Sequence, residues 1–116
     1  MAASLSQLRG GRANAEWLVH TVRELGVDVR VTSVLRSRAK QEYLWNLRQA
    51  GKWPYPVAAP GTSAHEYGLA WDSWVPEPYM PWWVAVRRWA GWDVPLPDTD
   101  PVHAQIPNWR EYVTSA

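Results

Sequence analysis

The chain has 116 residues, with 12 Lys and Arg against 11 Asp and Glu and a net charge of +1, a length that predicts a single domain spanning 1–116 around one core. Balanced charge without a basic run argues against nucleic acid as the principal partner. The lack of cysteine excludes disulfides and thiolate metal sites, and no apolar stretch approaches membrane-spanning length, so membrane insertion is not expected.

Segment 1–15 carries arginines but no apolar run of signal-peptide length, which predicts synthesis as a soluble cytoplasmic product without a signal peptide. Residues 13–25 read as an amphipathic helix, with Ala15, Leu18, Val19, Val22 and Leu25 in one stripe and Gly26 as its stop. His20 lies off the stripe and reads as a solvated helix histidine. Segment 27–35 alternates apolar and polar residues with β-branched side chains, which predicts a strand delivering Arg36 to its end. Ser37 has the character of an N-cap, and Tyr43, Leu44, Leu47 and Ala50 form the inner face of a second helix that ends before Gly51. Pro54, Pro56, Pro60 and Gly61 make 53–62 a loop, expected to wall a cleft because it leads directly into Ser63 and His65.

Further on, 76–81 reads as a loop, and Pro81 suits the first turn of a helix whose inner stripe is Trp82, Ala85, Val86 and Trp89. Segment 91–99 is another loop. Residues 102–106 predict a short strand that Pro107 ends, and Asn108 is placed to cap a last short helix. Ten Trp with no Phe imply that indole fills core positions, with Trp53 and Trp109 the exceptions because they flank loops, where an exposed ring can stack on a ligand.

The stretch Ser63-Ala64-His65-Glu66-Tyr67-Gly68-Leu69-Ala70-Trp71-Asp72 sets an imidazole and a carboxylate on either side of a glycine, and a second histidine follows in Asp100-Pro101-Val102-His103. A catalytic zinc needs three protein ligands at about 2.0 to 2.2 Å and an open fourth position, so His65, Asp72 and His103 are candidate ligands for one zinc ion. Seven residues of extended chain span roughly 23 Å, so His65 and Asp72 meet only if the chain reverses between them, and Gly68 permits that. Beyond it, period two puts Gly68, Ala70 and Asp72 on one strand face and Leu69 and Trp71 on the other. A lone histidine at such a junction is more often structural, and Asp72 would read as a strand-edge carboxylate. An acid between Trp71 and Trp74 is nonetheless costly to bury without a compensating cation.

These blocks resemble the zinc D,D- and L,D-peptidases of peptidoglycan, which include the vancomycin-resistance D,D-dipeptidases and many phage endolysins. Ser63, His65, Gly68, Ala70 and Asp72 match the signature Ser-x-His-x-x-Gly-x-Ala-x-Asp. Asp100 and His103 match an acid-x-x-His block, and Ser33, Arg36, Ser37 and Gln41 match an upstream Ser-x-x-Arg-Ser block followed by a helix containing Gln. Leu35, Val102 and Ala104 depart from the residues common at their places.

The resemblance implies an α+β fold, a small antiparallel sheet with helices packed against it, of the Hedgehog/D,D-peptidase type. It implies Asp100 as general base, with Asp98 the nearest rival and Glu66 a weaker one. Since an i to i+3 pair in a strand points to opposite faces, Asp100 must sit in the loop before His103 if both are to reach one water. Arg36 is then the residue that binds a substrate carboxylate or steadies the oxyanion, a task suited to its planar fork. Ser63 and Gln41 join Arg36 as substrate-binding residues. The reaction implied is hydrolysis of stem peptides by a monomer acting on the cell wall as a phage lysin or virion-associated protein. The bond is L-alanyl-D-glutamate or D-alanyl-D-alanine, with a modest preference for the former. An inactive metal-binding relative that binds the wall, and a non-haem iron oxygenase, which also uses two His and a carboxylate, are the rivals. The oxygenase lacks its usual His-x-Asp pair here.

Overall fold

Alternation along one central strand organises the molecule. In the computed structural model, which describes residues 3–114, β1 (Arg30–Ser33), β2 (Ala70–Trp74) and β3 (His103–Gln105) form an antiparallel sheet in the order β1-β2-β3. Helices α1 (Arg12–Glu24), α2 (Arg38–Gln49), α3 (Met80–Trp89) and α4 (Trp109–Thr114) complete an α+β fold. Trp71 and Ser73 of β2 point into the core and are fully buried, whereas Asp72 and Trp74, one residue out of phase, line a cleft.

The core face is built from indoles and aliphatics. Trp71 meets Trp83 of α3 at 6.1 Å and Trp92 at 5.5 Å between ring centroids, both edge-on. Trp83 Nε1 donates to Ser73 Oγ at 2.8 Å, which satisfies both buried polar groups. Ala15, Leu18, Val19 and Val22 of α1 close this layer. A second, smaller cluster of Ala64, Leu69, Ala70 and Trp109 joins β2 to α4.

Several expectations require correction. Leu25 is 71% exposed because it lies at the end of α1, where Gly26 at φ 94° and the Val27 N–H to Val22 O bond close the helix in a Schellman turn. Tyr43 is exposed, and Gln41 occupies the inner face of α2 instead. The first strand is four residues long rather than the whole of 27–35. The strand after Gly68 begins at Ala70, and Leu69 packs beside Ala70 in the second cluster rather than across the sheet from it. On α3 the buried residues are Trp83, Val84 and Arg87, while Trp82 and Trp89 face solvent. The apolar period misled because an arginine holds an inward position. Indoles are not chiefly core residues either: Trp17, Trp74, Trp82 and Trp89 are exposed, and Trp109, expected at a loop surface, is buried against Tyr67. Within 91–99, Trp92 and Val94 are buried and Asp93 bridges Gln105, which extends the sheet by one residue beyond β3.

Among the described residues, no helix is long and apolar enough to cross a membrane.

Candidate metal centre

Register places the first elements of the site. Asp72 pairs across β2 with Ser33 on one side and His103 on the other, so three polar side chains share one sheet face at cross-strand spacing. The register shifts between Val31 and Ser33, an irregularity that brings Ser33 opposite Asp72. His65 arrives from a 3₁₀ turn, Ala64–Tyr67, capped by Ser63, whose Oγ accepts the His65 N–H at 3.3 Å. Gly68, at φ 69°, reverses the chain after that turn, and a Cβ there would lie 2.9 Å from the Arg9 side chain. Its glycine is therefore required both by the left-handed backbone and by the close approach.

The three candidate ligand atoms form a nearly equilateral triangle. His65 Nε2 to Asp72 Oδ1 is 3.1 Å, His103 Nδ1 to Asp72 Oδ1 is 3.2 Å, and His103 Nδ1 to His65 Nε2 is 3.2 Å. A tetrahedral ion at about 2.0 to 2.1 Å from each ligand needs ligand separations of roughly 3.3 Å, close to this triangle. The outer hydrogen bonds fix the tautomers. His65 Nδ1 lies 2.7 Å from Val34 O, an acceptor only, so Nδ1 carries the hydrogen and Nε2 presents its lone pair. His103 Nε2 lies 2.8 Å from Gln105 Oε1, which leaves Nδ1 facing the centre, and Gln105 Nε2 donates to Asp93 Oδ2 at 3.2 Å to hold the amide that way round. Three lone-pair atoms so converged repel one another unless a cation lies among them, and these residues can hold one metal ion.

Electrostatics agree with that arrangement. Burial opposes ionisation of Asp72, yet the two imidazoles outweigh it and hold the carboxyl below the usual carboxylate range. For His103 burial disfavours the charge, but the hydrogen bond and charge of Asp72 outweigh it and raise its pKa above the ordinary value.

The cleft beside the triangle encloses about 660 Å³ and is lined by Arg36, Gln41, Ser63, Asp100 and Trp53, along with the three ligands. Arg36 follows β1, gives hydrogen bonds to Gln41 Oε1 at 2.9 Å and Ser33 Oγ at 3.2 Å, and lies 3.8 Å from Asp72 Oδ2. Burial lowers its pKa, with Asp72, Asp100 and Glu66 opposing. Gln41 donates its other end to Ala58 O at 2.8 Å and so joins Arg36 to the 53–62 loop, which walls the cleft. Asp100 sits in the turn ahead of β3, where its N–H bonds Leu96 O at 2.8 Å and its carbonyl accepts from His103 N at 3.2 Å. Burial pushes its carboxyl up, repulsion from Asp72 adds to this, and His103, His65 and Arg36 oppose. Asp98 is exposed and lies outside the cleft lining. The Glu66 carboxylate is used internally, accepting from Gly61 N, Ser63 N and Arg38.

Trp53 lines the cleft, and Trp109, though buried, shows an edge to it. Sequence reasoning missed Gln105, although its place two residues beyond His103 sets both on one strand face. It also missed Asp93, for which no local signal exists, because its bridge to Gln105 comes from a loop.

No family model matches the chain, and no curated protein matches it in sequence. Solved structures do match. The LdcB LD-carboxypeptidase, whose structure addresses peptidoglycan recognition, aligns with a TM-score of 0.65 at 16% identity over 92% of this chain, which spans 62% of the LdcB chain. The vancomycin-resistance D,D-pentapeptidase VanY in complex with Zn(II) aligns with a TM-score of 0.65 at 20% identity, covering 88% of this chain and 73% of that one. VanYB in complex with D-alanine-D-alanine gives 0.64 at 21%, covering 88% and 72%. The chain therefore has the fold of the peptidoglycan LD-carboxypeptidases and zinc-binding D,D-peptidases.

Proposed function

We propose that residues 1–116 act as one zinc peptidase domain that hydrolyses the stem peptides of peptidoglycan at the cell wall, with His65, Asp72 and His103 holding a single zinc ion. The observation that carries this reading is the triangle of ligand atoms with 3.1 to 3.2 Å edges, opening into a cleft that also holds Arg36 and Asp100. Zinc, when bound, supplies Lewis acidity that acidifies water and polarises a carbonyl.

The rest falls to the chain's own groups. Asp100 accepts a proton from the attacking water and returns it to the leaving amine, a role suited to a carboxyl whose pKa burial has raised toward the working pH. Arg36, steadied by Gln41 and Ser33, directs its guanidinium toward the carboxylate or oxyanion of the substrate. Ser63 holds the His65 turn and offers its hydroxyl at the cleft edge. Gln41 acts by orienting Arg36 and the loop wall.

Within this class we favour the phage-lysin type with an L-alanyl-D-glutamate bond as target, and a D-alanyl-D-alanine carboxypeptidase as the second choice. Digestion of purified peptidoglycan by the zinc-loaded protein, followed by mass spectrometry of the products, tests both levels. Release of stem peptides that begin at D-glutamate, with L-alanine left on the glycan, marks the endopeptidase, and loss of a terminal alanine marks the carboxypeptidase. Wall binding without any released product would replace the peptidase with a binding module.

A further inference from the structure

Arg87 is a fully buried cation for which the proposed chemistry has no use. Burial lowers its pKa to about 10, with Asp72 and Asp100 pulling upward, so it remains charged at neutral pH. Among the described residues no carboxylate lies within ion-pair distance of it. Its guanidinium instead serves backbone carbonyls: Nε donates to Trp83 O at 3.2 Å, Nη1 to Val102 O at 3.0 Å, and Nη2 to Pro101 O. The Trp83 ring lies beneath it, 5.2 Å from the guanidinium carbon.

An isolated buried charge is expensive, and an apolar side chain of similar length would fill the space at lower cost. What an apolar residue would not do is bond two consecutive carbonyls. Those carbonyls belong to the turn that begins at Asp100 and ends at His103, and Val102 O also accepts Ser73 N from β2 at 3.0 Å. The turn is thus held from α3 and from β2 at once, and its two ends carry the proposed base and a metal ligand.

We infer that Arg87 is a positioning residue: its planar fork clamps the carbonyls of Pro101 and Val102 and so fixes the Asp100 carboxylate relative to the His103 imidazole. This rests on the peptidase reading for the role of Asp100. Lysine offers a single nitrogen and cannot span both carbonyls together with Trp83 O.

The test compares wild type with Arg87→Lys and Arg87→Met. The methionine variant keeps an unbranched apolar stem over Trp83 while removing the desolvated charge, so it should fold even if the lysine variant does not. Expected for each folded variant are an unchanged KM on a defined stem peptide, a kcat lower by about 10 to 100-fold, and a zinc affinity in chelator competition lower by a similar factor. The His103 amide, bonded to Asp100 O, should exchange its hydrogen faster than in the wild type. Variants that melt earlier yet keep wild-type kcat, zinc affinity and His103 exchange would make Arg87 a packing residue and overturn the inference. Failure of the wild type itself to cleave any stem peptide would strike the peptidase reading alone, since zinc affinity and amide exchange still report on the clamp.

Discussion

The two faces of β2 solve opposite problems with neighbouring residues. Trp71 and Ser73 face a dry layer where the polar groups of Ser73 and Trp83 satisfy each other and indole edges fill the space. Asp72, between them in sequence, faces an open cleft where acceptor atoms converge and both imidazoles are braced from behind. Arginine marks the same contrast. Arg87, on the core side, gives its hydrogen bonds to backbone carbonyls, while Arg36, on the cleft side, bonds side chains and approaches Asp72. The core face stores stability and the cleft face stores a charge pattern, so substitutions of apolar core residues and of cleft residues should separate stability from chemistry, with Arg87 the exception that links the two.

The sharpest separation is expected at the ligands. His65→Ala and His103→Ala should abolish stoichiometric zinc binding, and hydrolysis with it, while the metal-free protein stays folded on its intact core. Full zinc occupancy by elemental analysis in either variant would break the assignment. Next in size, Asp100→Asn should retain zinc yet lose about 100 to 10,000-fold in hydrolysis, since the amide keeps the shape and lacks a basic carboxylate. Turnover near that of the wild type, with Asp98→Asn inactive instead, would move the base to Asp98.

From the other face, Leu18→Ala in α1 should cost about 2 to 5 kcal/mol of stability by thermal or denaturant unfolding, because Leu18 is 2% exposed in the core layer. Its zinc stoichiometry and its kcat per folded molecule should be unchanged, and a large fall in either would mean that the faces are not separable. A smaller effect is expected at Gln105→Leu, which removes the acceptor for His103 Nε2. Zinc affinity should fall by about 10 to 100-fold with little change in melting temperature of the metal-free protein.

The mildest effect concerns pH. In the metal-free protein the folded pKa of His103 is raised, so its contribution is complete below about pH 6.5 and fades as pH rises through the folded value. Asp72 has a depressed folded pKa, so its contribution is present above about pH 3.9 and is lost only as acid approaches the folded value. Zinc binding runs the other way, because it needs neutral imidazoles. The rise in melting temperature on adding zinc should therefore widen from about pH 6 to pH 8. A gain that narrows over that interval would contradict the coupling of His103 to the site.

The contrast between faces was itself only half legible in the sequence. Along β2 the placing of Ala70 and Asp72 on one face and Trp71 on the other could be read directly, as a strand presents successive side chains to opposite sides. On α3 the same approach picked out Trp82 and Trp89, which are exposed, and passed over Arg87, which is buried. Hydropathy treats an arginine as an outward residue. Whether one points inward depends on acceptors supplied from elsewhere, here the carbonyls of Pro101 and Val102.

What the sequence alone determined is local: Gly68 as the reversal between His65 and Asp72, the proline-rich 53–62 segment as a cleft wall, and Asp100 in a turn rather than in a strand with His103. Each follows from backbone freedom or side-chain period over a few residues. Tertiary structure alone decided that Val34 O and Gln105 would set the two imidazole tautomers, that Asp93 would orient Gln105, and that Arg87 would face the core. These depend on strand register and on which carbonyls a buried donor meets, and contacts 31 residues apart in the chain, as between His65 and Val34, have no signature in local composition.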